Sequence, residues 1–256
     1  MGEPMKTKPT APEPDTISVA DWPSVAYPFR PAPEEEARID DILGRLSLEQ
    51  KVGQILQADI ASVTPEDVAT YHLGSVLNGG NSAPGGNQRA TPEEWLALAD
   101  AFWEASMRED GPGIPILWGT DAVHGHNNIA GATIFPHNIN LGATRDAGLV
   151  ERIGAATALE VRATGMDWTF APTVAVARDD RWGRSYEAYS ESPALVAALG
   201  GAMVRGLQGH PGKPGFLGPD RVIATAKHFI GDGGTRDRGD RPHADVVMTK
   251  VTVYRA

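Results

Sequence analysis

The chain has 256 residues, of which 41% are apolar and 22% charged, and its formal net charge is −10. This length and composition predict a globular protein with a core of its own, in one large domain or two small ones. The acidic balance argues against nucleic acid and anionic membranes as general partners, no run approaches the roughly 18 apolar residues of a membrane span, and the absence of cysteine excludes disulfides and thiolate chemistry.

Residues 1–33 are rich in proline and poor in apolar side chains, which predicts an extended, disordered leader. They contain no basic region followed by an apolar one, so no signal peptide is predicted and the compartment stays open. Apolar residues at helical spacing then predict a helix over Glu34–Leu46. Ser47 with Gln50 three residues later is a capping-box pattern, which predicts a second helix through about Gln57.

Strands and helices alternate along the rest of the chain. Thr91 precedes Pro92 and is followed three residues later by Glu94, which predicts a helix from there to about Met107. Strands are predicted at Gly74–Asn78, Ile116–Trp118, Trp168–Ala171, Thr173–Ala177 and Val222–Phe229, and helices at 147–163, capped by Asp146, and at Pro193–Leu207. This order predicts an α/β fold with a mostly parallel sheet, as a barrel or doubly wound.

Polar side chains are dense just past three of these predicted strands. GTDAVHGHNN, which contains Asp121, follows the strand at Ile116–Trp118. RDDRWGRSYEAYSE, which contains Arg184, follows the strand-like Thr173–Ala177. Because such folds gather their chemistry at the carboxyl ends of strands, these clusters indicate a site. A polar loop or a surface salt-bridge loop would give the same pattern, and that alternative stays open.

The second cluster combines arginines, carboxylates and aromatic rings. A sugar suits this combination, because its ring faces stack on aromatic side chains and its hydroxyls pair with charged groups. A third cluster, Lys227 and His228, ends the run VIATAKHF. Burying a lysine and a histidine there is costly unless a hydroxylated or anionic ligand contacts them. A structural pair with its hydrogen bonds already satisfied is the alternative.

Three other chemistries are less favoured by the sequence. His124, His126 and the nearby His137 could bind a metal ion, but no matching carboxylate pattern follows, and ordinary hydrogen-bonded histidines are the simpler interpretation. No phosphate-binding loop and no Gly-x-Ser-x-Gly turn occurs.

Taken together and in order, the motifs GTDAVHGHNN, FAPTVAVARDDRWGRSYEAYSE and VIATAKHFIGDGGT resemble family-3 glycoside hydrolases, the β-glucosidase and exo-β-glucanase group. The resemblance covers about Ala37 to Thr235. It implies an α/β, (β/α)8 TIM-barrel-like N-terminal domain, here incomplete, that binds a terminal β-D-glucosyl unit of a β-glucoside or β-glucan without metal or cofactor. It also implies that four residues contact the sugar hydroxyls: Asp121, Arg184, Lys227 and His228.

Retaining hydrolysis requires a nucleophilic carboxylate and a proton donor. From the residues alone, Asp121 is the first candidate nucleophile and Glu187 a candidate acid. The resemblance instead places the nucleophile in a later motif like SDW and the acid/base glutamate in a following domain, and neither is recognised in this sequence. We therefore expect no catalytic residue in this chain, which would be a truncated part of the enzyme. The alternative is a non-catalytic carbohydrate-binding remnant.

Residues 236–256 have no recognised counterpart in that family. From Lys227 onward Lys and Arg outnumber Asp and Glu, whereas the preceding chain is strongly acidic. We expect a divergent tail left by a shifted reading frame. Only four or five strands are predicted in all, so a barrel that needs about eight strands would stay open, and its exposed edge would favour self-association.

Overall fold

The structure, a computed structural model, describes residues 32–80, 82–228 and 233. One parallel sheet runs through this part of the chain, in the order β1-β2-β3-β4-β5. Its strands are β1 (Gln57–Asp59), β2 (Ser75–Asn78), β3 (Leu117–Thr120), β4 (Trp168–Thr169) and β5 (Ile223–Ala224). Neighbours in the sheet are neighbours in sequence, as in a (β/α) barrel. The predicted α/β fold with a parallel, TIM-barrel-like sheet is confirmed.

Helices connect and flank these strands. They are α1 (Pro33–Arg45), α2 (Leu48–Gln54), α3 (Pro65–Tyr71), α4 (Pro92–Ser106), α5 (Asn138–Thr144), α6 (Ala147–Ala163) and α7 (Pro193–Gln208). Among the described residues, no helix has both the length and the apolar content needed to cross a bilayer.

Local hydrogen bonds set the starts of several helices. At α2, the Gln50 amide donates to Ser47 Oγ at 3.2 Å and the Ser47 amide donates to Gln50 Oε1 at 3.0 Å. Thr91 and Glu94 form the same reciprocal pair at α4. Each box satisfies two backbone donors that a helix end would otherwise leave unpaired. Both predicted helix starts are confirmed.

The core lies between the sheet and its helices. Trp118 of β3 packs against Trp95 and Phe102 of α4, with ring centroids 5.9 Å and 5.5 Å apart. The indole N–H of Trp118 donates to Asn78 Oδ1 at 3.0 Å, so the one polar atom of this ring is satisfied within the core. This packing fixes β2 and β3 against α4, and with them the loop that follows β3.

Several predicted boundaries are wrong. The second helix ends at Gln54 rather than near Gln57, because Gln57 pairs with Ser75 and begins β1. The strand after Pro115 runs over Leu117–Thr120, while β4 and β5 are each only two residues long. Residues 173–177 form no strand and make one isolated bridge, between Thr173 and Lys227.

Three elements were not predicted from the sequence: β1, α3 and α5. Other predictions lie outside the described residues. These are the leader over 1–31, Phe229 at the end of the last predicted strand, and the tail over 236–256. Pro33, assigned to the leader, is instead the first residue of α1.

Candidate functional site

All four predicted sugar-contact residues lie past the carboxyl ends of strands. Asp121 directly follows β3, Arg184 lies in the connection between β4 and α7, and Lys227 and His228 follow β5. Because β3, β4 and β5 are adjacent and parallel, their connecting loops meet at one edge of the sheet.

Asp121 and Lys227 form an ion pair between Oδ1 and Nζ. Their side chains are 42% and 22% exposed, so both charges border solvent at the opening of the site. The backbone on both sides of Asp121 is fixed by Thr169 of β4. Thr169 Oγ1 donates to the carbonyl of Thr120 at 3.1 Å and accepts from the amide of Ala122 at 3.3 Å. A hydroxyl on the neighbouring strand thus sets the direction of this carboxylate.

Lys227 is held through its backbone as well. Its amide donates to the carbonyl of Pro172 at 2.9 Å, and its carbonyl accepts from the amide of Val174. These bonds continue the parallel pairing of β4 with β5 beyond the two-residue strands. These backbone hydrogen bonds fix the position of Lys227 relative to the segment that follows β4.

Arg184 connects the remaining residues. Its Nε donates to Glu187 Oε1 at 2.6 Å and its Nη2 to Glu187 Oε2 at 2.7 Å, a two-pronged pair. The same Nη2 lies 2.9 Å from His228 Nε2. A guanidinium can only donate, so His228 Nε2 must be the acceptor. We therefore assign the His228 proton to Nδ1 and the ring as neutral in this arrangement.

Glu187 is the most deeply placed carboxylate of the group, with a side chain only 14% exposed. Burial acts to raise its pKa, but the hydrogen bonds and charge of Arg184 outweigh burial and lower the pKa below its usual value. Glu187 therefore stays ionised at neutral pH. That state conflicts with its interpretation as a proton donor.

The structure thus brings the predicted residues together as two contacting pairs, Asp121–Lys227 and Arg184–His228, joined through the adjacent residues Lys227 and His228. The positioning contacts of Thr169 and Glu187 were not predicted. Glu187 stood out only as a carboxylate in a charged loop, and Thr169 carried no signal beyond its place in a strand.

Asp59, at the end of β1, was missed together with its strand. Its carboxylate accepts from the amides of Ala61 and Gly79, each at 2.8 Å, and from Ser82 Oγ at 2.6 Å. Burial raises its pKa, but these three hydrogen bonds lower it overall. The bonds join the loops after β1 and β2, so Asp59 stabilises this edge of the sheet.

Of the three histidines considered as metal ligands, two contact each other and the third has a different partner. His124 and His137 lie with ring centroids 4.3 Å apart, and Tyr186 packs edge-on against His137 at 4.8 Å. Burial, and then the nearby His137, lowers the pKa of His124. His126 is fully buried and bonded to Thr164. No group of three candidate metal ligands occurs in the part of the chain that the structure describes.

Comparison with solved structures gives closely similar folds. An exo-1,3/1,4-β-glucanase from a Pseudoalteromonas species, solved as a mutant, aligns with a TM-score of 0.77 and 56% identity over 81% of this chain and 34% of its own. A mutant β-glucosidase from Listeria innocua in complex with laminaribiose aligns with a TM-score of 0.61 and 27% identity, over 84% of this chain and 29% of its own.

A curated relative is likewise a β-glucosidase. The lysosomal β-glucosidase of Dictyostelium discoideum is 30% identical over 223 residues, which cover 80% of this chain and 27% of that protein. The chain therefore spans about a third or less of the length of these relatives.

The sequence profile of the glycosyl hydrolase family 3 N-terminal domain matches residues 47–252. This match continues past Thr235, and the boundary placed there and the divergent tail behind it remain predictions. A profile that covers most of the chain agrees with the parallel sheet, the order of the three motifs and the relatives just described. The chain belongs to glycosyl hydrolase family 3 and carries that family's N-terminal domain.

Proposed function

We propose that this chain is the sugar-holding portion of a retaining β-glucosidase or exo-β-glucan glucohydrolase. Asp121, Arg184, Lys227 and His228 contact a non-reducing terminal β-D-glucosyl unit. The observation that carries the proposal is the convergence of these four side chains, from three separate loops, into two contacting pairs at one sheet edge.

The chemistry of the group suits a hydroxyl-rich ligand. Asp121 accepts hydrogen bonds, and Lys227 and Arg184 donate them, so vicinal hydroxyls of a hexose find both kinds of partner. Charge-assisted bonds of this kind contribute about 1.5–3 kcal/mol each. The solved Listeria relative holds laminaribiose, and another structure of that enzyme holds glucose, which supports a glucoside as the ligand class.

Hydrolysis itself belongs, in this proposal, to the complete protein. The best-placed carboxylates of the described site are already committed: Asp121 to Lys227 and Glu187 to Arg184. Arg184 keeps Glu187 ionised, so Glu187 cannot act as a proton donor, and the Asp121 carboxylate is occupied by Lys227. We expect this chain alone to bind the sugar and to turn over little or no aryl β-glucoside.

Calorimetric titration of the chain with glucose and with laminaribiose tests the proposal. Asp121→Asn should weaken glucose binding tenfold or more, about the value of one charged hydrogen bond. Asp100→Asn, which makes the same change at an exposed position of α4, is the matched control and should leave binding unchanged.

Two results would count against the proposal. One is the absence of measurable sugar binding by the folded chain. The other is strong hydrolysis of an aryl β-glucoside that Asp121→Asn abolishes, because that outcome would make Asp121 the nucleophile rather than a sugar contact.

A further inference from the structure

We propose that Glu187 is a positioning residue for the sugar site: it holds the Arg184 guanidinium and, through it, fixes the tautomer of His228. The proposal deepens the proposed function and rests on it for the part that concerns sugar affinity. Glu187 itself need not touch the ligand.

The geometry at Arg184 is the first support. Both oxygens of Glu187 bind the guanidinium, at 2.6 Å to Nε and 2.7 Å to Nη2. A two-pronged contact fixes the plane of the guanidinium as well as its position, which a single hydrogen bond would not do. Arg184 is 43% exposed, and holding its long side chain in this way reduces its rotamer freedom.

Glu187 is itself well anchored, which a positioning residue must be. Its amide donates to the Arg184 carbonyl at 2.9 Å, closing the single helical turn Ser185–Glu187. Its carbonyl accepts from Asn138 Nδ2 at 2.9 Å. Asn138 is only 4% exposed and is the first residue of α5. The carboxylate is therefore tied to a buried helix start rather than to a free loop.

The effect passes on to His228. Nη2 of Arg184 is at once a donor to Glu187 Oε2 and a neighbour of His228 Nε2 at 2.9 Å. As long as Glu187 keeps this nitrogen in place, His228 Nε2 accepts and the ring presents its Nδ1–H. Loss of Glu187 would remove the two-pronged contact that sets the plane of the guanidinium, and with it the fixed direction of the donor that selects this tautomer.

The experiment compares three variants of the full chain. Glu187→Gln keeps the shape and removes the charge, and Glu187→Asp keeps the charge and shortens the reach. Glu191→Gln is the control, because Glu191 is an exposed carboxylate of the same loop. Glucose affinity is measured by calorimetry, and the His228 ring nitrogens are observed by NMR in the sugar-free protein, with His228→Gln used to assign them.

We expect Glu187→Gln to weaken glucose binding about tenfold and to move the His228 nitrogen signals toward a mixture of tautomers. Glu187→Asp should fall between wild type and Glu187→Gln on both measurements, and Glu191→Gln should match wild type. Lower thermal stability of both Glu187 variants with unchanged His228 signals would show a merely structural role and overturn the proposal.

The two proposals can fail separately. If the wild-type chain binds no glucose, the proposed function fails, while the His228 signals of the sugar-free variants still decide whether Glu187 positions this pair. If the wild type binds glucose and Glu187→Gln binds it equally well, the positioning proposal fails and the proposed function stands.

Discussion

His126 is a neutral histidine enclosed in the core. Thr164 Oγ1 donates its only hydrogen to the Val161 carbonyl at 2.8 Å, so it must accept from His126 Nε2, 2.9 Å away. The other nitrogen, Nδ1, is buried and has no hydrogen-bond partner among the described residues. Burial therefore lowers the pKa of His126 to about 4.

This pKa makes the stability of the fold depend on pH. Between pH 6.5 and 4 the unfolded chain binds a proton at residue 126 that the folded chain does not, so stability is lost as pH falls through this window. From pH 7 to pH 5 we expect a loss of about 2 kcal/mol from this group. Urea unfolding at pH 7, 6 and 5 measures this loss of unfolding free energy. These pH values lie above the range in which most carboxylates protonate, so carboxylates contribute little to the change.

A His126→Gln variant isolates the effect. It should be less stable at pH 7, because the packed ring is lost, yet show a much flatter dependence on pH. An unchanged slope in His126→Gln would assign the acid sensitivity to other groups.

Helices whose starts carry a capping pattern within a few residues of sequence could be predicted. The capping boxes at Ser47 and Thr91 lie within four residues of sequence, and both helix starts were predicted. A capping box also starts α3, where Thr64 pairs with Asp67 in Thr-Pro-Glu-Asp, so this helix was predictable from the same local signal. By contrast, β1 is three residues long without apolar alternation and exists because it pairs with β2, which no local pattern reveals.

The site, too, has a part that the sequence predicts and a part that it does not. Asp121, Arg184, Lys227 and His228 could be named because they sit in motifs of one family. The contacts that hold them could not, since Thr169 reaches Ala122 across 47 positions and Asn138 reaches Glu187 across 49. Such contacts depend on strand order and loop shape, which are settled only in the folded chain.

The contact of α6 with α7 offers a test at the scale of an element. A Cβ added at Gly206 would lie 2.2 Å from the Glu151 carbonyl oxygen, so Gly206→Ala must push the two helices apart. We expect a loss of about 1–3 kcal/mol in unfolding free energy. Chemical denaturation followed by circular dichroism gives this value.

Gly201→Ala is the control within the same helix. There the nearest atom to an added Cβ is Arg205 Nη1 at 3.4 Å, the end of a flexible side chain. Without a backbone clash, the better helix propensity of alanine should stabilise the protein by up to about 1 kcal/mol. Equal effects of the two variants would contradict the close packing of α6 on α7.

At the scale of the whole molecule, the described sheet ends in two edges. Within the described residues β1 pairs only with β2, and β5 only with β4 and the bridging segment. Large apolar side chains are exposed in α2 and in the two residues before β1: Leu48 is 72% exposed, Ile55 83% and Leu56 47%. An unpaired strand edge beside exposed apolar groups favours association with another chain.

We predict that the chain self-associates through this surface. Size-exclusion chromatography with light scattering should show a mass that rises with concentration. Ile55→Lys should weaken the association tenfold or more, because burial of such a side chain contributes about 1.5–3 kcal/mol. Leu159→Lys, at a 58% exposed position of α6, is the control. A sharp monomeric peak at all concentrations would refute this prediction.

The pairing of Asp121 with Lys227 and of Glu187 with Arg184 has a consequence for the kind of molecule that can enter. With His228 neutral, these five side chains carry two positive and two negative charges, so their formal charges sum to zero. An uncharged hexose should bind with nearly the same strength in dilute buffer and in molar salt, because it carries no charge whose attraction salt could screen. A uronic acid would meet no surplus of positive charge to receive its carboxylate.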